Sequence, residues 1–350
     1  MNHSKAFIFI SILLFSFNFL VADDVLYELT KDHTVIDASY DPNIESFYIV
    51  STIRDTNNSS IIKTKNGQLL RQQTIENFKV AKMQIDKLSN VYLIGISTGG
   101  DITVVRLSSS LSIRWITKIR ISEKDTLSSF FINDDQEVTV LGYSSNKRES
   151  DTFLVKIDSN GKITVKSVIN VGPYEKPYAL IEDKDNNIYI TGEMKEKDVD
   201  VFLLKLSKDH ELLWVDFFDN SGWEDGGLDI ELIDNDIILT AYSGKEGWYV
   251  FDTVFLRYSP DGNVSNFVRK SYSNGSDWVR QLEKKDEYYY AILWDILTGK
   301  EYGMKLDYYF EIISKKEISK EENPVKIINV KNNTYLLTER ENKLYLRNLD

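Results

Sequence analysis

The sequence contains no cysteine and only 3 histidines among its 350 residues. Without thiols the chain forms neither disulfides nor a thiolate zinc site, and so few histidines cannot build a multi-histidine metal centre. Proline is also scarce, with 5 residues, and no stretch keeps a helical period. G-x-S-x-G elbows and phosphate-cradling glycine loops are absent as well. We therefore predict no metal site, no cofactor and no motif-borne catalytic residue.

Long apolar runs are absent after the first 22 residues. The run from Ala6 to Leu20 follows one positive charge, Lys5, and precedes a small residue, Ala22. It is short for a membrane span, which needs about 20 apolar residues. The pattern predicts a secretory signal peptide over 1–22, with an uncleaved N-terminal anchor as the alternative. We expect the mature chain, 23–350, to be secreted, periplasmic or at the cell surface, without stable membrane insertion.

Basic residues are fewer than acidic ones. The chain has 54 acidic and 42 basic residues, for a net charge of -12 at pH 7. Such a chain repels phosphate backbones, so we predict no nucleic-acid partner. Its apolar content of 42% supplies a large core without disulfides. We expect a monomer.

One segment, NNIYITGEMKEKDVDVFLLKLSKDHELLW at 186–214, has counterparts along the chain. A basic residue near the end of one strand recurs at each copy: Lys63, Arg106, Lys156, Lys205, Arg257, Lys305 and Arg347. Five positions earlier, six copies carry Asp or Asn: Asn58, Asp101, Asp151, Asp200, Asp252 and Asn342. We predict that the basic side chains have partly buried stems. The acids are predicted to hydrogen-bond the backbone of the loop that precedes them.

Each copy comprises four short strands, a to d, separated by turn formers such as DSNGK and SPDGN. Repeats of four strands and roughly 40 to 50 residues are typical of propeller blades. We therefore predict an all-β fold, a seven-bladed β-propeller of four-stranded antiparallel blades in a single domain. The seventh copy ends after strand c, and an unpaired edge favours aggregation. The segment from Val25 to Thr30 is predicted to supply the missing strand and close the ring.

The copies around 136–165 and 178–217 resemble the SBBP-type β-propeller repeat family. In that family a GN-x-Y-x-TG strand precedes D-x-F-x-x-K-[LI]-x-x-x-G-x-L-x-W, and this chain has NNIYITG followed by DVDVFLLKLSKDHELLW. A weaker similarity is to quinoprotein-type propeller repeats. The resemblance implies an exported scaffold and provides no catalytic residue, because the family has no general one.

Polar residues in the turns have plain structural interpretations. His33 and His210 lie beside turns and are predicted to be solvated. The DKDNN segment at 183–187 offers oxygen ligands of the kind that calcium prefers, but a hairpin turn explains it better.

The six tryptophans fall into two groups. Trp115 and Trp214 recur at one position of strand d, where core packing explains them. The other four lie in or beside d–a and b–c loops of blades four to six, which share one face of the ring, and acids accompany them. Aromatic and acidic side chains on adjacent loops suit a ligand surface. Its predicted members are Trp223, Glu224, Asp225, Trp248, Tyr249, Asp277, Trp278 and Trp294. Packing of blade against blade is the alternative, above all for Trp278 and Trp294.

Three functional hypotheses follow. The first is an exported, non-enzymatic propeller that binds a protein or polysaccharide through loops on one face. The second is a glycan hydrolase or lyase that uses carboxylates at the central channel. The third is a quinone-cofactor protein. The channel lining distinguishes the first two, because three converging carboxylates favour the enzyme.

Overall fold

The computed structural model describes residues 24–30, 32–145, 149–220, 222–244 and 250–350. All 28 regular elements in these ranges are β-strands, arranged in seven four-stranded antiparallel sheets. The predicted seven-bladed propeller is confirmed. In the described part of the chain no helix could cross a membrane. The predicted signal peptide lies outside the described residues.

The strands follow the chain order within each blade. Blades one and two comprise β2 (His33–Asp41), β3 (Ser46–Ile53), β4 (Ser59–Lys65), β5 (Gln68–Ile75), β6 (Phe78–Ile85), β7 (Val91–Ser97), β8 (Ile102–Leu107) and β9 (Ile113–Ile119). Blades three and four comprise β10 (Asp125–Ile132), β11 (Val138–Ser145), β12 (Ser150–Ile157), β13 (Ile163–Ile169), β14 (Glu175–Glu182), β15 (Ile188–Lys195), β16 (Val199–Leu206) and β17 (Leu212–Phe218). Blades five and six comprise β18 (Asp225–Ile233), β19 (Asp236–Gly244), β20 (Phe251–Tyr258), β21 (Val264–Lys270), β22 (Asp277–Lys285), β23 (Tyr288–Asp295), β24 (Lys300–Leu306) and β25 (Ile312–Glu317). Blade seven comprises β26 (Asn323–Val330), β27 (Asn333–Arg340), β28 (Lys343–Asn348) and β1 (Asp24–Glu28).

The N-terminal strand closes the ring. β1 pairs antiparallel with β28, with Val25 opposite Tyr345 and Glu28 opposite Lys343. The amide of Leu29 extends the ladder by donating to the carbonyl of Asn342 at 2.7 Å. The predicted closure is therefore confirmed.

The hydrophobic core lies between the blades. Seven clusters of buried side chains each join two neighbouring blades, and the cluster that contains Leu26 joins blade seven to blade one. The first strands of successive blades contact one another around the whole ring, so they surround the central channel. The last strands face solvent; β5, for example, is exposed along most of its length. Period-two alternation supplies the apolar side chains for both faces of each blade.

All seven repeated basic residues are partly buried, as predicted, and several of them link their blade to the next. The ammonium of Lys205 donates to the carbonyl of Pro260 in blade five at 3.3 Å and lies 5.0 Å from the ring centroid of Tyr189. Lys63 donates in the same way to Ser109 of blade two at 2.8 Å. The charge thus stays hydrated or bonded while the stem covers apolar surface.

The turn between strands c and d requires a left-handed residue in each of blades two to six. Leu111, Gly161, His210, Gly262 and Phe310 occupy this position, with φ between 60° and 86°. Glycine enters this region without steric cost, whereas other residues enter it rarely. The indoles of Trp115 and Trp214 lie against the glycine of the next blade, so any Cβ at Gly161 would meet Trp115 at 2.7 Å.

The prediction that both histidines are solvated is wrong. His210 is buried, because the left-handed turn directs its side chain into the gap between blades, and its Nδ1 lies 3.0 Å from the Ser167 hydroxyl. His33 is buried too, with its Nδ1 2.7 Å from the hydroxyl of Ser51.

The repeated acid of strand c has a different partner from the predicted one. Asp101 accepts from Arg120 at 2.7 Å, Asp151 accepts from the side-chain amide of Asn170 at 2.9 Å, and Asp252 accepts from Arg269. All three acids therefore pair with the end of strand d in their own blade, and for Asp101 and Asp151 this bond replaces the predicted one to the preceding loop. The reason is geometric, since strands c and d are adjacent and antiparallel. The DKDNN segment is a plain turn, as predicted, in which Asp183 accepts from Asn187.

Candidate functional site

The predicted ligand residues fall into three groups in the structure. Trp223 and Glu224 are exposed on the loop between β17 and β18, and the indole retains 40% of its accessible surface. Asp225, Asp277, Trp278 and Trp294 are buried or half-buried. Trp248 and Tyr249 lie outside the described residues. Of the described members, only Trp223 and Glu224 present side chains to solvent.

Hydrogen bonds hold the described residues of the loop between β17 and β18, which are 219, 220 and 222–224. Asp219 accepts from the Gly222 amide at 2.7 Å, and Asp225 accepts from the Asn220 amide at 2.7 Å. The amide of Gly244, at the end of β19, donates to the carbonyl of Glu224 at 2.8 Å. Gly244 is required there, because a Cβ would meet the Cβ of Trp223 at 2.8 Å. The exposed indole therefore projects from a braced loop.

Trp278 and Trp294 pack blade six against blade five. They are opposite each other in the β22–β23 ladder, with ring centroids 5.4 Å apart. Trp278 also contacts Tyr242 at 5.0 Å and Phe251 at 5.9 Å, both on blade five. Their positions fit the packing alternative, so we leave both out of the proposed ligand surface.

Asp277 belongs to a structural repeat at the start of strand a. It accepts from the Ser273 amide at 2.7 Å and from the Thr253 hydroxyl at 3.1 Å. Asp125 and Glu175 hold the corresponding loops of blades three and four through the amides of Ser122 and Gly172. The 50-residue spacing of these acids with Asp225 was a sequence signal for this role, and the sequence analysis did not use it.

Three carboxylates meet beside the exposed indole. Asp200 of β16, Asp219 after β17 and Asp225 of β18 each place one oxygen within 4.8 Å of the others. Burial raises the pKa of Asp225 to about 6, and the charges of Asp219 and Asp200 add to the effect. The pKa of Asp200 also rises to about 6, through burial first and then through the charges of Asp198, Asp219 and Glu196. Carboxylate oxygens of this kind are ligands for hard divalent cations.

The central channel carries charged residues of both signs on the first strands. Lys326 of blade seven lies 3.5 Å from Asp37 of blade one, and Asp37 accepts from the Met83 amide of blade two at 2.8 Å. Asp229 makes the corresponding bond, accepting from the Leu282 amide of blade six at 3.0 Å. The role of these two acids is thus to join neighbouring blades around the channel.

Two further channel acids make no such bond to the described residues of the next blade. Burial raises the pKa of Glu231 to about 9, with contributions from Glu283 and Asp229. Burial also raises the pKa of Glu283 to about 7, and the charge of Asp229 adds to it. The charges of Glu283 and Asp229 act on Glu231, so these acids of β18 and β22 lie near one another, and none of them was among the predicted site residues. Their signal was weak, consisting of two acids, Asp229 and Glu231, at alternate positions of one strand.

Comparisons with known proteins support the fold alone. No family model matches the sequence, and no curated protein matches it. Among solved structures, a polysaccharide lyase, an ulvan lyase, superposes with a TM-score of 0.61 at 10% identity, covering 93% of this chain and 94% of that chain. The β-propeller domain of the Trilobed protease from Pyrococcus furiosus gives 0.55 at 13% identity, covering 91% and 94%.

An acylaminoacyl peptidase from Pyrococcus horikoshii also has a TM-score of 0.55, at 15% identity. The alignment covers 91% of this chain and 52% of that chain, so this protein spans about half the length of the peptidase. At such identities these similarities establish a propeller and say nothing about activity.

Proposed function

We propose that this protein is an exported propeller that binds a protein or a polysaccharide through the loop 219–224 and its surroundings, over blades four and five. The observation that carries the proposal is the exposed indole of Trp223. The repeated tryptophans do not behave in this way: Trp115 and Trp214 pack in the core, and each donates its indole N–H to a carbonyl of the next blade at 3.1 Å.

An exposed indole on a braced loop suits recognition for two reasons. Its flat face binds a sugar ring or an apolar side chain, and its loop loses little conformational entropy on binding. Glu224 beside it is exposed and offers carboxylate oxygens to hydroxyl or amide donors. Tryptophan is also the residue type most enriched among those that dominate binding energy.

The test combines a glycan array with a pull-down of extracellular proteins, followed by variants. We expect Trp223→Ala to weaken binding of the identified ligand by about 2 kcal/mol, roughly thirtyfold, with an unchanged melting temperature. Trp278→Ala is the matched control, because it removes an indole that packs between blades and should lower the melting temperature instead. Equal ligand affinity of Trp223→Ala and wild type would exclude this surface.

A second candidate function is glycan cleavage at the channel, and the pair Glu231 and Glu283 favours it. Burial raises the pKa of both carboxyl groups, and the charge of Glu283 raises that of Glu231 further. Glycoside hydrolases use one carboxyl group as an acid and another as a base or nucleophile. A pair of buried carboxyl groups with raised pKa values is the kind of pair that such a mechanism uses.

A reducing-end assay over a panel of polysaccharides tests this candidate. If a substrate is found, Glu231→Gln and Glu283→Gln should each lower kcat by about 100-fold or more, since each removes an acid or base. Asp37→Asn is the control, because it changes a channel acid with a structural bond. Turnover that survives both glutamine substitutions would refute a role for this pair.

A further inference from the structure

In five blades, a residue at the start of strand c forms a complementary pair with a residue at the end of strand d. The residue numbers of the two members differ by 17 or 19, and each pair joins opposite charges or a hydrogen-bond donor and acceptor: Asn58 with Asn77, Asp101 with Arg120, Asp151 with Asn170, Asp252 with Arg269, and Lys300 with Glu317. Blade six keeps the pair with the charges reversed, so complementarity is the common property.

Blade four departs from this pattern. Its pair, at the same spacing of 19, is Asp200 and Asp219, two carboxylates. Among the described residues, the charges that act on Asp200 come from Asp198, Asp219 and Glu196, which are all negative. The fold thus brings like charges together at a position where every other pair named above is complementary.

A third carboxylate completes the group from the next blade. Asp225 is fully buried, with 0% of its surface accessible. Its Oδ2 accepts from the Asn220 amide, but its Oδ1 is buried without a hydrogen-bond partner among the described residues. The Oδ1 of Asp200 is buried and unpartnered as well. Two orphaned anionic oxygens in one group are costly unless a cation neutralises them.

We propose that Asp200, Asp219 and Asp225 bind a calcium ion. Calcium takes oxygen ligands at about 2.3–2.6 Å, so its ligands stand up to about 5.2 Å apart. The ligand oxygens of the three carboxylates all lie within 4.8 Å of one another, which is within this limit. Magnesium demands near-ideal octahedral geometry and gives up its waters reluctantly, so three fixed carboxylates suit it less. The three carboxylates also supply the negative charge that balances a divalent ion.

The ion would join two blades and hold the loop that carries Trp223. Asp219 and Asp225 flank this loop, and Asp200 belongs to the strand beside it. The inference stands apart from the proposed ligand surface, because it concerns the ion alone and is tested without any ligand.

The test is titration of the EDTA-treated, dialysed protein with calcium chloride by isothermal calorimetry, with magnesium chloride in parallel. We expect one saturable calcium site with a dissociation constant on the order of 10⁻⁴ M, and weaker magnesium binding. At about 5 mM calcium the melting temperature should rise by about 3 °C.

Two variants locate the site. Asp200→Asn keeps the shape of the side chain, and Asp219→Arg restores the pairing seen between Asp101 and Arg120. Both should fold in EDTA with a melting temperature close to that of wild type, because each removes a like-charge contact, which for Asp219→Arg offsets the loss of the bond to the Gly222 amide. Both should lose calcium binding. Asp151→Asn, the equivalent change in blade three, should bind calcium as wild type does.

Absence of saturable calcium binding by wild type would overturn the inference. Calcium binding of wild-type strength by both Asp200→Asn and Asp219→Arg would overturn it equally, since the ion would then lie elsewhere. A calcium result of either kind leaves the Trp223 test unaffected, so the two proposals fail separately.

Discussion

His210 occupies a backbone position that two other copies of the turn fill with glycine, Gly161 and Gly262. Its φ of 64° is costly for a side chain with a Cβ, yet the residue is buried between blades. Leu111 and Phe310 are buried at the equivalent turns. Burial of a large side chain offsets backbone strain here, so a residue that looks like a solvated turn residue in sequence belongs to the core.

The pH dependence of stability follows from this burial. Burial, and then the positive charge of Lys156, lower the pKa of His210 below its ordinary value of 6.5, although Asp209 opposes the shift. The neutral imidazole therefore contributes fully above about pH 6.5, and this contribution is lost as pH falls from there toward the lower folded-state pKa.

We expect the free energy of unfolding of wild type to fall more steeply between pH 7 and pH 5 than that of His210→Asn. Asparagine tolerates the left-handed conformation and does not titrate, so it isolates the imidazole. Urea denaturation at several pH values measures the difference. Parallel pH profiles for the two proteins would contradict this account.

At the scale of elements, β1 is a short strand with a large structural role. Leu26 packs with Leu344 and Leu346 of β28 and with residues of blade one, whereas Val25 on the same strand points outward. β1 also covers the edge of β28, which would otherwise present unpaired amides and carbonyls.

We expect Leu26→Ala to lower the free energy of unfolding by about 2–4 kcal/mol, because it leaves a cavity at the junction of the ring. Val25→Ala is the matched control, since Val25 is 48% exposed, and it should cost less than about 0.5 kcal/mol. Chemical denaturation of both variants measures the difference. Similar losses for both would show that β1 does not seal the junction.

Every first strand has a register shift near its middle, for example between Val35 and Asp37 and between Gly227 and Asp229. A bulge bends a strand and re-aims the next side chain. In these strands the bulge directs the side chain of the next residue toward the channel, where Asp37 and Asp229 accept hydrogen bonds from backbone amides of the next blade. Gln281 follows the shift in blade six and accepts in the same way from the Ile327 amide of blade seven, so the bulge provides such a bond in blades one, five and six.

At the scale of the whole molecule, the ring brings distant residues into electrostatic contact. Lys82 of blade two and Asp229 of blade five influence each other across the channel, although they lie far apart in sequence. Burial lowers the pKa of Lys82, and the charges of Asp229 and Asp37 oppose the shift. A closed ring therefore gathers charges from several blades at its axis, which is why the channel has chemistry that no single repeat reveals.

The sequence by itself determined the blade number, the register of the basic residues and the closing strand. Alternating apolar residues and turn formers act over a few residues and define each strand. The number of strands then gives the number of blades and shows that one strand is missing from the last. The sequence does not show that Trp223 is exposed and Trp278 is covered, because both tryptophans lie near loops and neither recurs with the repeat.

Only the tertiary structure decided which side chains meet between blades. The packing of Tyr242 and Phe251 covers Trp278, whereas Trp223 has no such cover among the described aromatic contacts. Likewise, Asp200 and Asp225 belong to different blades, and the ring geometry alone places their carboxylates together. Local propensities specify each blade, but contacts between blades depend on how the twisted sheets pack around the axis.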